Sequence, residues 1–152
     1  TIVERLFRTV GPSSAYFGEK DFQQTLVVSD LAREMGYPNI VVCPTVREAS
    51  GLALSSRNVR LSPDEKHLAR QIYPALLAAR DAWQSGERTA DGLSAAMADC
   101  LNHDGLILEY AEVRDPAQWT AEPPQTPLER AQALIAVRIG SVRLIDNLRL
   151  DR

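Results

Sequence analysis

Two cysteines, Cys43 and Cys100, and two histidines, His67 and His103, are all that 152 residues supply of the usual soft metal ligands and redox groups. They are too few and too scattered for a disulfide framework or a Cys/His metal cluster. Both cysteines read as buried, reduced thiols, since an unpaired Cys behaves as a small hydrophobe, and both histidines as helix-surface residues. Reduced thiols fit a cytoplasmic protein. A basic excess is also missing. Seventeen Lys and Arg stand against 20 Asp and Glu, a net charge of −3, which gives no field to gather nucleic acid. No apolar run approaches the ~20 residues that span a bilayer, so no membrane partner is expected. The opening "TIVERLFRTV" is too short and too charged for a secretory signal. It begins on Thr1 rather than methionine, and Val3, Leu6, Phe7 and Val10 already share a helical face, so the expectation is a piece of a longer protein.

What is present is enough for a core: 45% of residues are hydrophobic and 24% charged, an ordinary globular balance. Residues 15–17 form a short apolar run that stops at Gly18, a buried strand ending in a glycine turn. Phe22, Leu26, Leu31 and Met35 then recur near helical spacing until Gly36 and Pro38 stop them. "NIVVCP" follows, a β-branched run that reads as a second buried strand. Strand, helix and strand make a βαβ unit of a parallel sheet, and one such unit does not make a stable sheet alone.

After Pro44 the character changes. "TVREASGLALSSRNVRL" reads as a polar loop. Ser62, Pro63 and Glu65 form a capping box for a long helix with a stripe of Leu68, Ile72, Leu76, Ala79 and Trp83. Pro74 inside that stretch should kink it or split it in two. Thr89 starts another helix with Leu93, Met97, Cys100 and Leu101 inward. From Leu106 the period becomes two, with Leu106, Leu108 and Tyr110 on one face. Gly140-Ser141 suits a two-residue hairpin turn between the last two strands. The expected fold class is therefore α/β followed by α+β.

Two clusters can carry chemistry. In "FGEKDFQQ", Gly18 lies at the carboxyl end of a strand, where open parallel sheets bind ligands. Lys20 offers a point charge for a phosphate, Asp21 an acceptor for vicinal hydroxyls, and Gln24 lies one helical turn further on. In "LALSSRN", Ser55, Ser56, Arg57 and Asn58 present hydroxyl, backbone and guanidinium donors in sequence, and Gly51 reads as a hinge on which the loop closes. Taken alone, the first cluster equally fits a solvated helix start and the second a polar helix-entry loop. No GxxxxGK[ST] phosphate loop is present. Both clusters flank the same βαβ unit.

"AYFGEKDFQQTLVVSDLAREMG", "VVCPTVREASGLALSSRN", "LSPDEKHLAR" and "RLIDN" together resemble the pantoate–β-alanine ligase (pantothenate synthetase) family, in order along essentially the whole chain and in that family's carboxyl-terminal part only. The resemblance implies the last βαβ unit of a Rossmann-like (HUP, nucleotidylyltransferase) sheet in residues 1–44. Residues 45–152 would be an α+β domain carrying a loop of the synthetase KMSKS type. The implied reaction is ATP-dependent condensation of pantoate with β-alanine to pantothenate, AMP and pyrophosphate through pantoyl adenylate. Gly18, Glu19, Lys20 and Asp21 would meet ATP, with Gly18 and Asp21 at the ribose and Lys20 at the phosphates. Val46 would contact the adenine through its backbone, and Leu54, Ser55, Ser56 and Arg57 would close on the triphosphate. Lys20, Ser55, Ser56 and Arg57 would be catalytic, and Gln24 would hold pantoate. Mg²⁺ would be held mainly by the phosphates of ATP, with no protein metal centre. The family is typically dimeric. Its histidine-containing motif and second pantoate-binding glutamine are not in these residues, so the chain is expected to be inactive without the amino-terminal half. The rival reading is a non-catalytic nucleotide-binding or regulatory fragment.

Overall fold

The structure is a computed structural model describing residues 1–120 and 122–152. It divides into two compact units, residues 1–46 and 47–152.

In the first unit, helix α1 (Ile2–Val10) precedes strand β1 (Ser14–Gly18), a short 3-10 turn (Glu19–Asp21), helix α2 (Phe22–Met35) and strand β2 (Asn39–Cys43). The two strands pair in parallel, Ser14 opposite Asn39 and Gly18 opposite Cys43, and α2 is the crossover of the expected βαβ unit. Of the apolar face expected on α1, only Phe7 is buried, its ring edge-on to Phe17 at 6.5 Å; Leu6 and Val10 stay 55% and 70% exposed. The strands are less covered than their composition suggests. Tyr16 is 70% and Val42 44% exposed, and Cys43 is half-buried rather than buried. A two-stranded sheet has too few neighbours to shield both faces. The inward stripe of α2 is Thr25, Val28 and Ala32, while the expected Phe22, Leu26, Leu31 and Met35 are half-buried. Burial of Thr25 is tolerable because its hydroxyl donates to the Phe22 carbonyl at 2.6 Å.

The second unit packs three helices, α3 (Pro63–Ala69), α4 (Ile72–Gln84) and α5 (Ala90–Asp99), with an antiparallel sheet of β3 (Leu106–Arg114), β4 (Gln132–Ile139) and β5 (Val142–Arg149) in the order β3-β4-β5. The core joins Ile72, Leu76, Leu93 and Met97 from the helices to Val113, Ile135, Val137 and Leu144 from the strands. The capping box at Ser62 and Glu65 forms as expected. The expected long helix splits between Ala69 and Ile72. Pro74 explains the place: it has no N–H for the Arg70 carbonyl, and its ring would collide with that carbonyl in a continuous helix. Thr89 caps α5 through a hydrogen bond from the Gly92 N–H. Cys100 is half-buried, not buried, and His103 is exposed beyond the end of α5.

The hairpin turn between β4 and β5 is Gly140-Ser141, with φ +54° at the glycine and no positive φ at the serine. That is the signature of a primed turn with glycine first. One register differs from the simple alternation. Between Leu108 and Tyr110 the β3–β4 pairing slips by one residue, leaving Glu109 as a bulge. Leu106 and Leu108 face the core before it, Ala111 and Val113 after it, so Tyr110 does not share their face. A bulge inserts one residue and inverts the pleat that follows. Among the described residues no helix is long and apolar enough to cross a membrane.

Candidate functional site

In the first unit the candidate residues gather at the carboxyl end of β1. Gly18 is its last residue, and Glu19, Lys20 and Asp21 form the 3-10 turn into α2. The sharp glycine turn expected at Gly18 is not there: φ −72° and ψ 131° are ordinary extended values. Nor does packing require the missing side chain, since a Cβ placed on Gly18 would meet nothing within 4 Å. What glycine contributes is an uncovered stretch of backbone at the strand end. Asp21 stands at the N-cap position of α2 but makes no side-chain cap bond, so its carboxylate is not consumed by the helix amides. Gln24 is exposed on the first turn of α2, at the edge of an open groove of about 540 Å³ whose lining includes Gln23, Val27, Val28 and Leu31. Val46 is 66% exposed just beyond β2.

In the second unit the segment Leu54–Arg57 is presented on a buried base. Leu52 and Ala53 are 3% exposed and Asn58 5%, whereas Leu54 is 52% exposed, Ser55 half-buried, and Ser56 and Arg57 exposed. Ser55 accepts a hydrogen bond from the Arg57 N–H at 3.2 Å and caps a 3-10 turn over Ser56–Arg60. The Asn58 side-chain amide donates to the Ala53 carbonyl at 3.0 Å, pulling the two ends of the segment together. Beneath it, Arg47 bridges to Ala53 as an isolated antiparallel pair. Its guanidinium forms a two-pronged pair with Asp146 of β5, at 2.5 and 3.0 Å. It also donates to the carbonyls of Gly51 and Asn147, at 3.1 and 3.3 Å, and lies 4.1 Å above the Tyr73 ring. Gly51 is not the open hinge expected of it. It holds φ +87°, and a Cβ there would sit 2.5 Å from the Tyr73 ring.

Sequence reasoning singled out Ser55, Ser56, Arg57 and Asn58 as donors, of which Asn58 is buried and spent within the loop, and missed Arg47, Tyr73 and Asp146 beneath them. The string "RLIDN" includes Asp146 but gives it no role, and nothing local marks Arg47 as its partner. Among the described residues no three His, Cys, Asp or Glu side chains group as a metal centre.

The chain matches the pantoate-beta-alanine ligase family over residues 1–149. It is 44% identical, over 99% of its length, to a pantothenate synthetase of Roseiflexus sp. (strain RS-1), and 46% identical, over 97%, to one of Rubrobacter xylanophilus. It covers 54% and 51% of those proteins, about half the length of the curated relatives it matches. Among solved structures, pantothenate synthetase from Thermus thermophilus superposes with a TM-score of 0.90 at 41% identity, covering 100% of this chain and 55% of that one. The pantoate-beta-alanine ligase of Francisella tularensis, solved with beta-gamma ATP and beta-alanine, superposes at 0.66 with 28% identity, covering 99% and 49%. A family match that runs from the first helix to the last strand, over a βαβ unit and an antiparallel α+β unit, makes this chain a member of the pantoate–β-alanine ligase family.

Proposed function

We propose that the protein to which these residues belong condenses pantoate with β-alanine in an ATP-driven reaction, and that this chain supplies one side of the nucleotide site. The observation that carries the reading is the family match over residues 1–149, in which the motif residues fall at a strand end and on a buttressed loop, with Gly18, Asp21, Gln24, Ser56 and Arg57 exposed and Glu19, Lys20 and Ser55 half-buried. In the proposed reaction a pantoate carboxylate oxygen attacks the α-phosphorus of ATP. The new C–O–P linkage of pantoyl adenylate forms as the bond to the β-phosphate breaks and pyrophosphate leaves. The β-alanine amine then attacks the acyl carbon, AMP departs, and the amine loses a proton.

No covalent bond to the protein is needed, so catalysis is positioning and charge stabilisation. Lys20 and Arg57 would meet the phosphates, and the Ser55 and Ser56 hydroxyls would donate to oxygens that gain charge as pyrophosphate departs. Asp21 would accept from the ribose hydroxyls beside the bare backbone of Gly18, with Glu19, Leu54 and Val46 completing the nucleotide contacts. Gln24, beside an apolar groove wall, suits a small branched hydroxy acid. Mg²⁺ would arrive with ATP, bound mainly by phosphate oxygens and water. Residues 1–44 would serve as part of a Rossmann-like nucleotide-binding domain and residues 45–152 as the loop-bearing domain. The remaining half of the relatives' length would complete the site, and the full-length enzyme would work as a cytoplasmic homodimer.

The test is ATP binding and pyrophosphate release by the full-length protein carrying Lys20→Ala or Arg57→Ala. Each change should weaken ATP binding by about 1.5–3 kcal/mol, the range for a hydrogen bond to a charged group. Unchanged affinity in both variants would refute the assignment of these residues. ATP binding without pantoate-dependent pyrophosphate release would favour a nucleotide-binding fragment over a ligase.

A further inference from the structure

We propose that Arg47, clamped to Asp146, is a positioning residue that fixes the Leu54–Arg57 segment in its working geometry; this rests on the reading of that segment as phosphate-binding.

Stability alone does not require such a clamp. The Asp146 side chain is 2% exposed and the Arg47 side chain 16%. Burying a charge pair gives up hydration, and a packed apolar pair of similar volume commonly stabilises a fold as well or better. What an apolar pair cannot supply is a rigid planar fork with several donors in fixed directions. Arg47 uses that fork in two directions at once. One side holds the Asp146 carboxylate and the Asn147 carbonyl on β5, a strand 99 positions away in sequence. The other holds the Gly51 carbonyl within the loop. Its flat face rests on Tyr73, and Tyr73 in turn fills the space above Gly51.

The chain is thereby held at each step up to the donors. The Glu48 N–H bonds the Leu52 carbonyl at 2.8 Å, and the Gly51 N–H bonds the Glu48 carbonyl at 2.9 Å. The bridge from Arg47 to Ala53 closes this small turn. The Ala53 carbonyl then receives the Asn58 amide. Leu54, Ser55, Ser56 and Arg57 are thus suspended between two buried pins, and both pins trace back to the strand through Arg47. A loop mounted this way meets its ligand at fixed height and angle, which is what electrostatic stabilisation of a departing pyrophosphate demands.

The experiment uses the full-length enzyme with the paired variant Arg47→Met/Asp146→Leu, the single variant Arg47→Lys and the control Arg57→Ala. Four quantities are read: kcat for pyrophosphate release, KM for pantoate, the denaturation midpoint, and the initial rate of tryptic cleavage after Arg57. The apolar pair should keep its denaturation midpoint while kcat falls about 10²-fold, the cost of a misplaced catalytic group. KM for pantoate should not change, and cleavage after Arg57 should accelerate as the loop opens locally. Arg47→Lys keeps the charge but loses the fork, and should lower kcat without unfolding the protein. That variant decides the question if the pair does not fold. Wild-type kcat and cleavage in the paired variant or in Arg47→Lys, beside an inactive Arg57→Ala, would overturn the inference and leave the proposed function standing. Full activity in Arg57→Ala would remove the functional reading and this inference with it.

Discussion

Gly51→Ala provides a quantitative test of the packing under the loop. Two costs are expected at that position. The first is backbone strain: φ is +87°, and a side chain in left-handed conformation costs about 1–2 kcal/mol. The second is steric. The new methyl would lie 2.5 Å from Tyr73 Cδ1 and 3.2 Å from its Cβ, so the ring must shift. It has little freedom, because the Arg47 guanidinium covers its face at 4.1 Å. Forcing an extra methyl into such a site costs about 1–3 kcal/mol. The sum is a loss of about 2–5 kcal/mol. Urea unfolding followed by tryptophan fluorescence suits the measurement, because both tryptophans, Trp83 and Trp119, lie within residues 47–152. A double-mutant cycle with Tyr73→Ala separates the terms. Removing the ring abolishes the steric part, so the double variant should be about 1–3 kcal/mol less damaged than the two single losses added together. Strict additivity, or a Gly51→Ala loss smaller than the strain alone, would show that Tyr73 does not confine this turn.

Other expectations concern the same unit. Asp151 accepts from the Arg149 guanidinium and from the Ala131 N–H, the latter at 3.0 Å. Burial raises its pKa, but these bonds more than offset that and hold it below the usual 3.8. Its folded value lies below its unfolded one, so its contribution is present above the unfolded pKa and lost as pH falls through the folded pKa. Asp151→Asn should therefore lower the denaturation midpoint at neutral pH and flatten its decline in acid; an unchanged acid limb would contradict this. Leu93 is completely buried in the core, so Leu93→Ala should cost about 2–5 kcal/mol in urea unfolding. Val59 is 86% exposed, and Val59→Ala should change stability by no more than about 0.5 kcal/mol.

What could be read in advance was local. Pro74 announces the break between α3 and α4 because its effect reaches only four residues back. Gly140-Ser141 announces its hairpin because two residues settle a primed turn. The βαβ unit shows in a β-branched run flanked by a helical repeat. Where packing decides, the pattern misleads. The stripe of α2 runs through Thr25 and Ala32 because small side chains and a satisfied hydroxyl let that face bury, and hydropathy gives neither much weight. The bulge at Glu109 breaks an alternation that looked continuous, since nothing in "LILEYAEVR" says which residue will be squeezed out. At the candidate site the surface donors stood together in one string, but the clamp beneath them joins Arg47 to Asp146 at a separation of 99. Such a pair has no local periodicity to betray it.

The bulge has a corollary for chain length. Leu106 and Leu108 point inward on one parity, Ala111 and Val113 on the other, and Glu109 is the residue at which the count changes. Excising Glu109 would restore strict alternation, so that all four keep their inward aim and the pairing with β4 becomes uninterrupted. Removing Ile107 or Glu112 instead would throw part of the strand out of phase. The contacts forfeited are those of Glu109 with Arg138 and Arg143, at 2.7 and 2.6 Å on the exposed rim, where ion pairs contribute little. β3 therefore contains one position at which shortening by a residue is structurally mild.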